Sequence, residues 1–144
     1  MKRYVKTDSI DPLFDDSKAF SSSNIDREQI AQLTKSTELL SIYALDPDRW
    51  VRYAAAGNKH MSVEDLDILA HDNWSAIREV VAQNKSTSAD TLAYLAGDID
   101  GSVLASVAQN PNTTSDTLFK LLGRSSYITA RILAKRKLVE RGLL

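Results

Sequence analysis

One spacing governs this sequence. Asn58, Asn84 and Asn110 stand 26 residues apart, and so do Asp46, Asp72 and Asp98. A fixed period of about 20–50 residues marks a chain of stacked supersecondary units, because each unit has an apolar face that only a neighbour can cover. Laid out at this period, the chain gives four units: 36–61, 62–87, 88–113 and 114–139. Their columns agree. The first position holds Ser36, Ser62, Ser88 and Thr114, and two residues on come Glu38, Glu64, Asp90 and Asp116. Leu40, Leu66, Leu92 and Leu118 follow, then Tyr43, Leu69, Leu95 and Leu121, while Ala56, Ala82, Ala108 and Ala134 run unbroken.

The columns prescribe a pair of short helices in each unit. Ser or Thr ahead of an apolar-periodic stretch is an N-cap, accepting a bond from an N–H that has no helical partner. The acid in the next turn suits the positive end of the helix dipole. Leu40, Tyr43 and Ala44 lie on one helical face, which predicts a first helix near Val63 to Ala70 in the second unit. A second helix is expected over Trp74 to Gln83, with Asp46, Asp72 and Asp98 as caps and Pro47 in the first position. Its buried stripe reads Val51 with Ala55, Ile77 with Val81, and Val103 with Val107. Asn58, Asn84 and Asn110 then end it, and the left-handed conformation that Asn tolerates is the expected stop. Neither helix is stable alone at this length. The expected fold is therefore all-α: a right-handed α-solenoid of about four helix-pair units with no strand.

The pattern Leu-x-x-Leu-Ala, Asp, Val-Arg, Ala-x-Asn, present as Leu66 to Ala70, Asp72, Ile77-Arg78, Ala82 and Asn84, resembles the variant leucine-rich repeat family, a branch of HEAT-like helical repeats. The resemblance spans roughly residues 36–139. It implies a superhelix in which an α-helix alternates with a short 3-10-type helix, so the first helix of each unit is expected to be partly 3-10. It also implies that the pairs Asp46 with Arg52 and Asp72 with Arg78 belong to a charged ladder bridging neighbouring units. Founding members carry a cysteine-rich cluster-binding module. This chain has no cysteine, so no cofactor is carried over.

The ends depart from the period. Residues 1–24 match no unit and are expected to form a tail, either flexible or docked through Tyr4, Val5, Ile10, Leu13, Phe14 and Phe20 on the first unit. Residues 25–35 read as a half-unit, so the repeat domain is placed at 25–144. The formal net charge is −1. That sum conceals an acidic body and a basic end holding Arg124, Arg131, Lys135, Arg136 and Lys137. Such an end is either a polar cap on the last unit or a patch for an anionic partner.

Chemistry is sparse. His60 and His71 fit no zinc spacing, no glycine-rich phosphate loop is present, and no serine sits in a nucleophile elbow. No apolar run reaches the length of a membrane span, and the basic N-terminus has no hydrophobic stretch behind it, so a cytoplasmic, non-enzymatic chain is expected. Trp50, Tyr53 and Trp74 stand out, because the column of Trp50 otherwise holds Ala76, Ser102 and Ile128. With Arg49 they are the candidate anchors for a protein partner, the alternative being that the rings fill gaps between units. Nucleic acid on the basic end is the alternative, and self-association of the acidic body with the basic end a third reading.

Overall fold

A computed structural model describes residues 24–123 and 126–144. Among them the fold is all-α. The helices are α1 (Asn24–Leu33), α2 (Thr37–Tyr43), α3 (Arg49–Gly57), α4 (Val63–Leu69), α5 (Ser75–Gln83), α6 (Ala89–Leu95), α7 (Gly101–Gln109), α8 (Ser115–Leu122) and α9 (Ile128–Glu140). The expected tail lies, except for Asn24, outside the described residues. The half-unit at 25–35 is occupied by α1.

The short helices begin as the columns predict. The hydroxyls of Ser36, Ser62, Ser88 and Thr114 accept from the backbone N–H three residues on, at Leu39, Asp65, Thr91 and Thr117. α2, α4, α6 and α8 are α-helices. The partly 3-10 character expected of them is seen in the turns that end α2, α4 and α6, for example Leu45 N–H to Ile42 C=O at 3.1 Å and Asp46 N–H to Tyr43 C=O at 3.2 Å. The cap explains the α-helical bonding ahead of those turns, because it sets i→i−4 bonding from the first turn, as in Leu40 N–H to Ser36 C=O at 3.1 Å.

The longer helices pack in series: α1 against α3, α3 against α5, α5 against α7, and α7 against α9, with α8 also on α9. Val51, Ala55, Ile77, Val81, Val103 and Val107 are fully buried, as their stripe requires. From the short helices Leu40, Leu66, Leu92 and Leu118 meet them in the core.

Two expected roles are corrected. Asp46, Asp72 and Asp98 do not cap the second helix. The N-cap residues are Asp48, Trp74 and Asp100, and Pro47 precedes the helix instead of opening it. The earlier aspartates accept from the backbone N–H two residues on, at 2.9 Å in all three cases, leaving the carboxylate free to bridge units. The asparagines do not adopt the left-handed conformation either. Asn58, Asn84 and Asn110 are extended, at φ −74°, −66° and −65°. Their side chains reach backward. Asn84 Nδ2 donates to Ala56 O at 2.8 Å and Asn58 O at 3.1 Å, and Asn110 Nδ2 to Ala82 O at 2.7 Å and Asn84 O at 2.9 Å. Asn58 does the same to Ala31 and Thr34, each at 2.9 Å. Each Oδ1 accepts from the N–H two residues on. A carboxamide here satisfies the last carbonyls of the preceding long helix and shapes its own turn.

Candidate functional site

The charged ladder lies along one edge of this stack. Arg27 Nε donates to Asp46 at 2.9 Å, Arg52 Nε to Asp72 at 2.7 Å and Arg78 Nε to Asp98 at 2.7 Å. Each arginine thus reaches the aspartate of the following unit. Arg52 Nη1 also donates to the carbonyl of Asp46 at 2.8 Å, closing a link to its own unit. The Asp98 bond and weaker Coulomb attraction outweigh burial and hold Arg78 above the usual arginine range. Burial disfavours the Asp98 carboxylate, yet Arg78 and the N–H groups of Asp100 and Ile99 overcome that and keep its carboxyl below the usual range. These pairs are engaged with each other and serve as ties between units.

Against this regular frame the aromatic residues form one cluster. Ring centroids of Trp50 and Trp74 are 4.8 Å apart, those of Tyr53 and Trp74 5.6 Å, and those of Trp50 and Tyr53 5.9 Å. The Trp50 pairs are edge-to-face, the arrangement the ring quadrupoles favour. The Arg49 guanidinium lies 4.8 Å from the Trp74 ring centroid and 5.9 Å from that of Trp50. All four predicted anchors are therefore together, at the N-terminal ends of α3 and α5. Trp50 stays 48% exposed, while Tyr53 and Trp74 are partly buried and pack against the core.

The cluster breaks a local rule of the repeat. Asp48 and Asp100 cap α3 and α7 by accepting from the N–H of Trp50 and of Ser102, both at 2.8 Å. The same position in the middle unit is Trp74, and α5 has no side-chain cap. Replacing an N-cap acceptor by an apolar residue costs about 0.5–2 kcal/mol. Arg49 also has no ion-pair partner among the described residues. Its guanidinium lies over the Trp74 ring at an exposed position. A cavity of about 290 Å³ adjoins the cluster, lined by Gln32, Tyr53, Gly57, Val80 and Gln83 among others.

The chain matches no family model, no curated protein and no solved structure.

The residues of the basic end differ in their partners. Arg124 lies outside the described residues. Arg131 donates to the carbonyl of Leu122 at 3.2 Å, helping to close α8, and Lys137 pairs with Glu140 at 3.3 Å. Helical rotation of about 100° per residue turns Lys135, Arg136 and Lys137 to successive sides of α9. Exposed Ile128, Ile132 and Val139 are interleaved with them.

Several residues escaped the sequence reading. Thr87 and Thr113 are buried and donate to the carbonyls of Val81 and Val107 at 2.5 and 2.6 Å, closing the ends of α5 and α7. Their 26-residue spacing was the available signal. His71 stacks on Tyr94, with centroids 4.2 Å apart, beside a groove of about 600 Å³ that Lys120 and the Arg78–Asp98 pair also line. Among the described residues no group of three or more His, Asp or Glu side chains could share a metal ion, and no helix is long and apolar enough to cross a membrane.

Proposed function

We propose that this chain is a non-enzymatic, cytoplasmic protein-interaction scaffold. It is built as a right-handed α-solenoid of four 26-residue units related to the variant leucine-rich repeats. Arg49, Trp50, Tyr53 and Trp74 are its anchors. The observation that carries this reading is their convergence into one exposed cluster at a place where the repeat asks for a small residue and a capping aspartate. Helical repeats draw function from such surface residues and not from the fold. Trp, Tyr and Arg are the side chains that most often dominate binding energy at interfaces.

The cluster also indicates what the partner presents. Stacked arginine beside exposed rings suits a segment that places a carboxylate next to a large apolar side chain. The open ring faces take the apolar group, and the guanidinium edge takes the acid. On α9 the cations are dispersed and interleaved with isoleucine and valine, which favours a protein partner over a nucleic acid for this chain. The test is affinity capture from lysate of the native cells with wild type and with Trp50→Ala/Tyr53→Ala, both checked by circular dichroism. Loss of specific partners from the folded variant is the expected result, and identical recovery rejects the site.

A further inference from the structure

The exposed face of α9 has an apolar centre and a basic rim. Ala130, Ala134 and Leu138 are buried, while Ile128, Ile132 and Val139 are 67%, 61% and 52% exposed. About 100° per residue brings these three within one narrow stripe, with Arg131 and Lys135 on one edge and Arg136 on the other. Among the described residues nothing covers it. Exposed apolar groups are ordinary singly, but a contiguous stripe ringed by like charges marks a surface built for contact.

The same molecule carries a surface of opposite character. Ile42, Ile68 and Tyr94 share one column of the repeat and are 44%, 50% and 53% exposed. They form an apolar row across the outer sides of α2, α4 and α6. One helical turn earlier on each helix stand the exposed carboxylates Glu38, Glu64 and Asp90, a parallel acidic row. These acids are there to complement the helix N-termini. Their 26-residue recurrence nevertheless makes them a continuous negative edge. Neighbouring helices lie about 8–10 Å apart, so the row runs about 20 Å from Ile42 to Tyr94. At about 1.5 Å per residue, the stripe of α9 from Ile128 to Val139 covers a similar length.

We infer that α9 of one copy docks across the outer row of α2, α4 and α6 of a second copy, its isoleucines on Ile68 and Tyr94 and the edge carrying Arg131 and Lys135 against Glu64 and Asp90. The two surfaces lie on different parts of the molecule, so the contact is heterologous and its repetition gives a ring or an open chain of copies. It leaves Arg49, Trp50 and Trp74 free, and so is independent of the partner site proposed above.

The experiment is sedimentation velocity on the 144-residue chain over a concentration series. Wild type is expected to associate reversibly. The association constant should fall at least about tenfold between about 0.1 M and 1 M salt, over which the Debye length shortens from about 10 to 3 Å. Arg131→Glu/Lys135→Glu and Glu64→Lys/Asp90→Lys, all at exposed positions, should each sediment as folded monomers. A mixture of the two should assemble, because reversed α9 then meets the reversed row. A monomeric wild type at every concentration overturns the inference, as does assembly that ignores the reversals or a mixture that stays monomeric. Binding of monomeric wild type to vesicles of anionic lipid, lost in Arg131→Glu/Lys135→Glu, would assign the face to a membrane and overturn it too. Trp50→Ala should assemble as wild type does, and failure to do so would place the contact at the aromatic cluster instead.

Discussion

A carboxamide is the short side chain that can donate to two acceptors and accept a bond at the same time, and this fold uses that capacity at the end of each long helix from α3 to α7. The arginine–aspartate pairs do related work with charge, and Asp98 shows it most clearly. Its side chain is only 7% exposed, and Arg78 holds it ionised at 2.7 Å. Its carboxyl titrates below the usual aspartate value of about 3.9. The folded pKa lies under the unfolded one, so the stabilisation is complete above about pH 4 and is lost as pH falls through the depressed value. Asp98→Asn should therefore destabilise the protein by about 1–3 kcal/mol near neutrality, by leaving the guanidinium without its charged acceptor. Urea titrations at neutral and strongly acidic pH check this, because the gap between variant and wild type should close in acid. A gap that persists unchanged would mean that the carboxylate charge contributes nothing.

At the scale of the helix, what was legible in the sequence was what is settled locally. Ser36, Ser62, Ser88 and Thr114 cap as read, because an N-cap bond spans three residues and needs no neighbour. The stripe of Val51, Ile77 and Val103 was read correctly because helical periodicity alone places it. Asp72 was misassigned, and Asn84, which ends α5 as read, was given the wrong conformation, for the converse reason: each also bonds to an adjacent unit, Asn84 to Ala56 and Asn58 and Asp72 to Arg52. Arg27 was hidden because it sits one position off the column of Arg52 and Arg78. Asn84→Ala tests the joint between units. It strands the Ala56 carbonyl and the N–H of Ser86, takes one of two donors from the Asn58 carbonyl, and should lower stability by about 2–4 kcal/mol in urea denaturation. A loss under about 1 kcal/mol would show that the packing of α3 on α5 holds without it.

Across the whole molecule the buried periodic features are ties and caps, and the partner site is proposed at the aromatic cluster, which has no period. The near-neutral total charge resolves into short helices carrying Glu38, Glu64, Asp65, Asp67, Asp90 and Asp116 against a single Lys120, and a last long helix carrying Arg131, Lys135, Arg136 and Lys137 against Glu140. The aromatic residues were legible as off-column positions. Their convergence was not, since it depends on α3 lying beside α5. The central claim is that Arg49, Trp50, Tyr53 and Trp74 are together for binding and not for holding the fold. The chain itself supplies the structural alternative at each tryptophan, with Ala76 in the column of Trp50 and Asp48 and Asp100 in the column of Trp74. The most direct test is the urea-denaturation free energy of Trp50→Ala/Trp74→Asp, which writes those residues into the cluster. Because Trp50 is half exposed, Trp74 is only partly buried and the new aspartate restores a cap, stability should stay within about 1 kcal/mol of wild type. A loss of about 3 kcal/mol or more, the range for truncating a core tryptophan, would contradict the account and make the cluster part of the core.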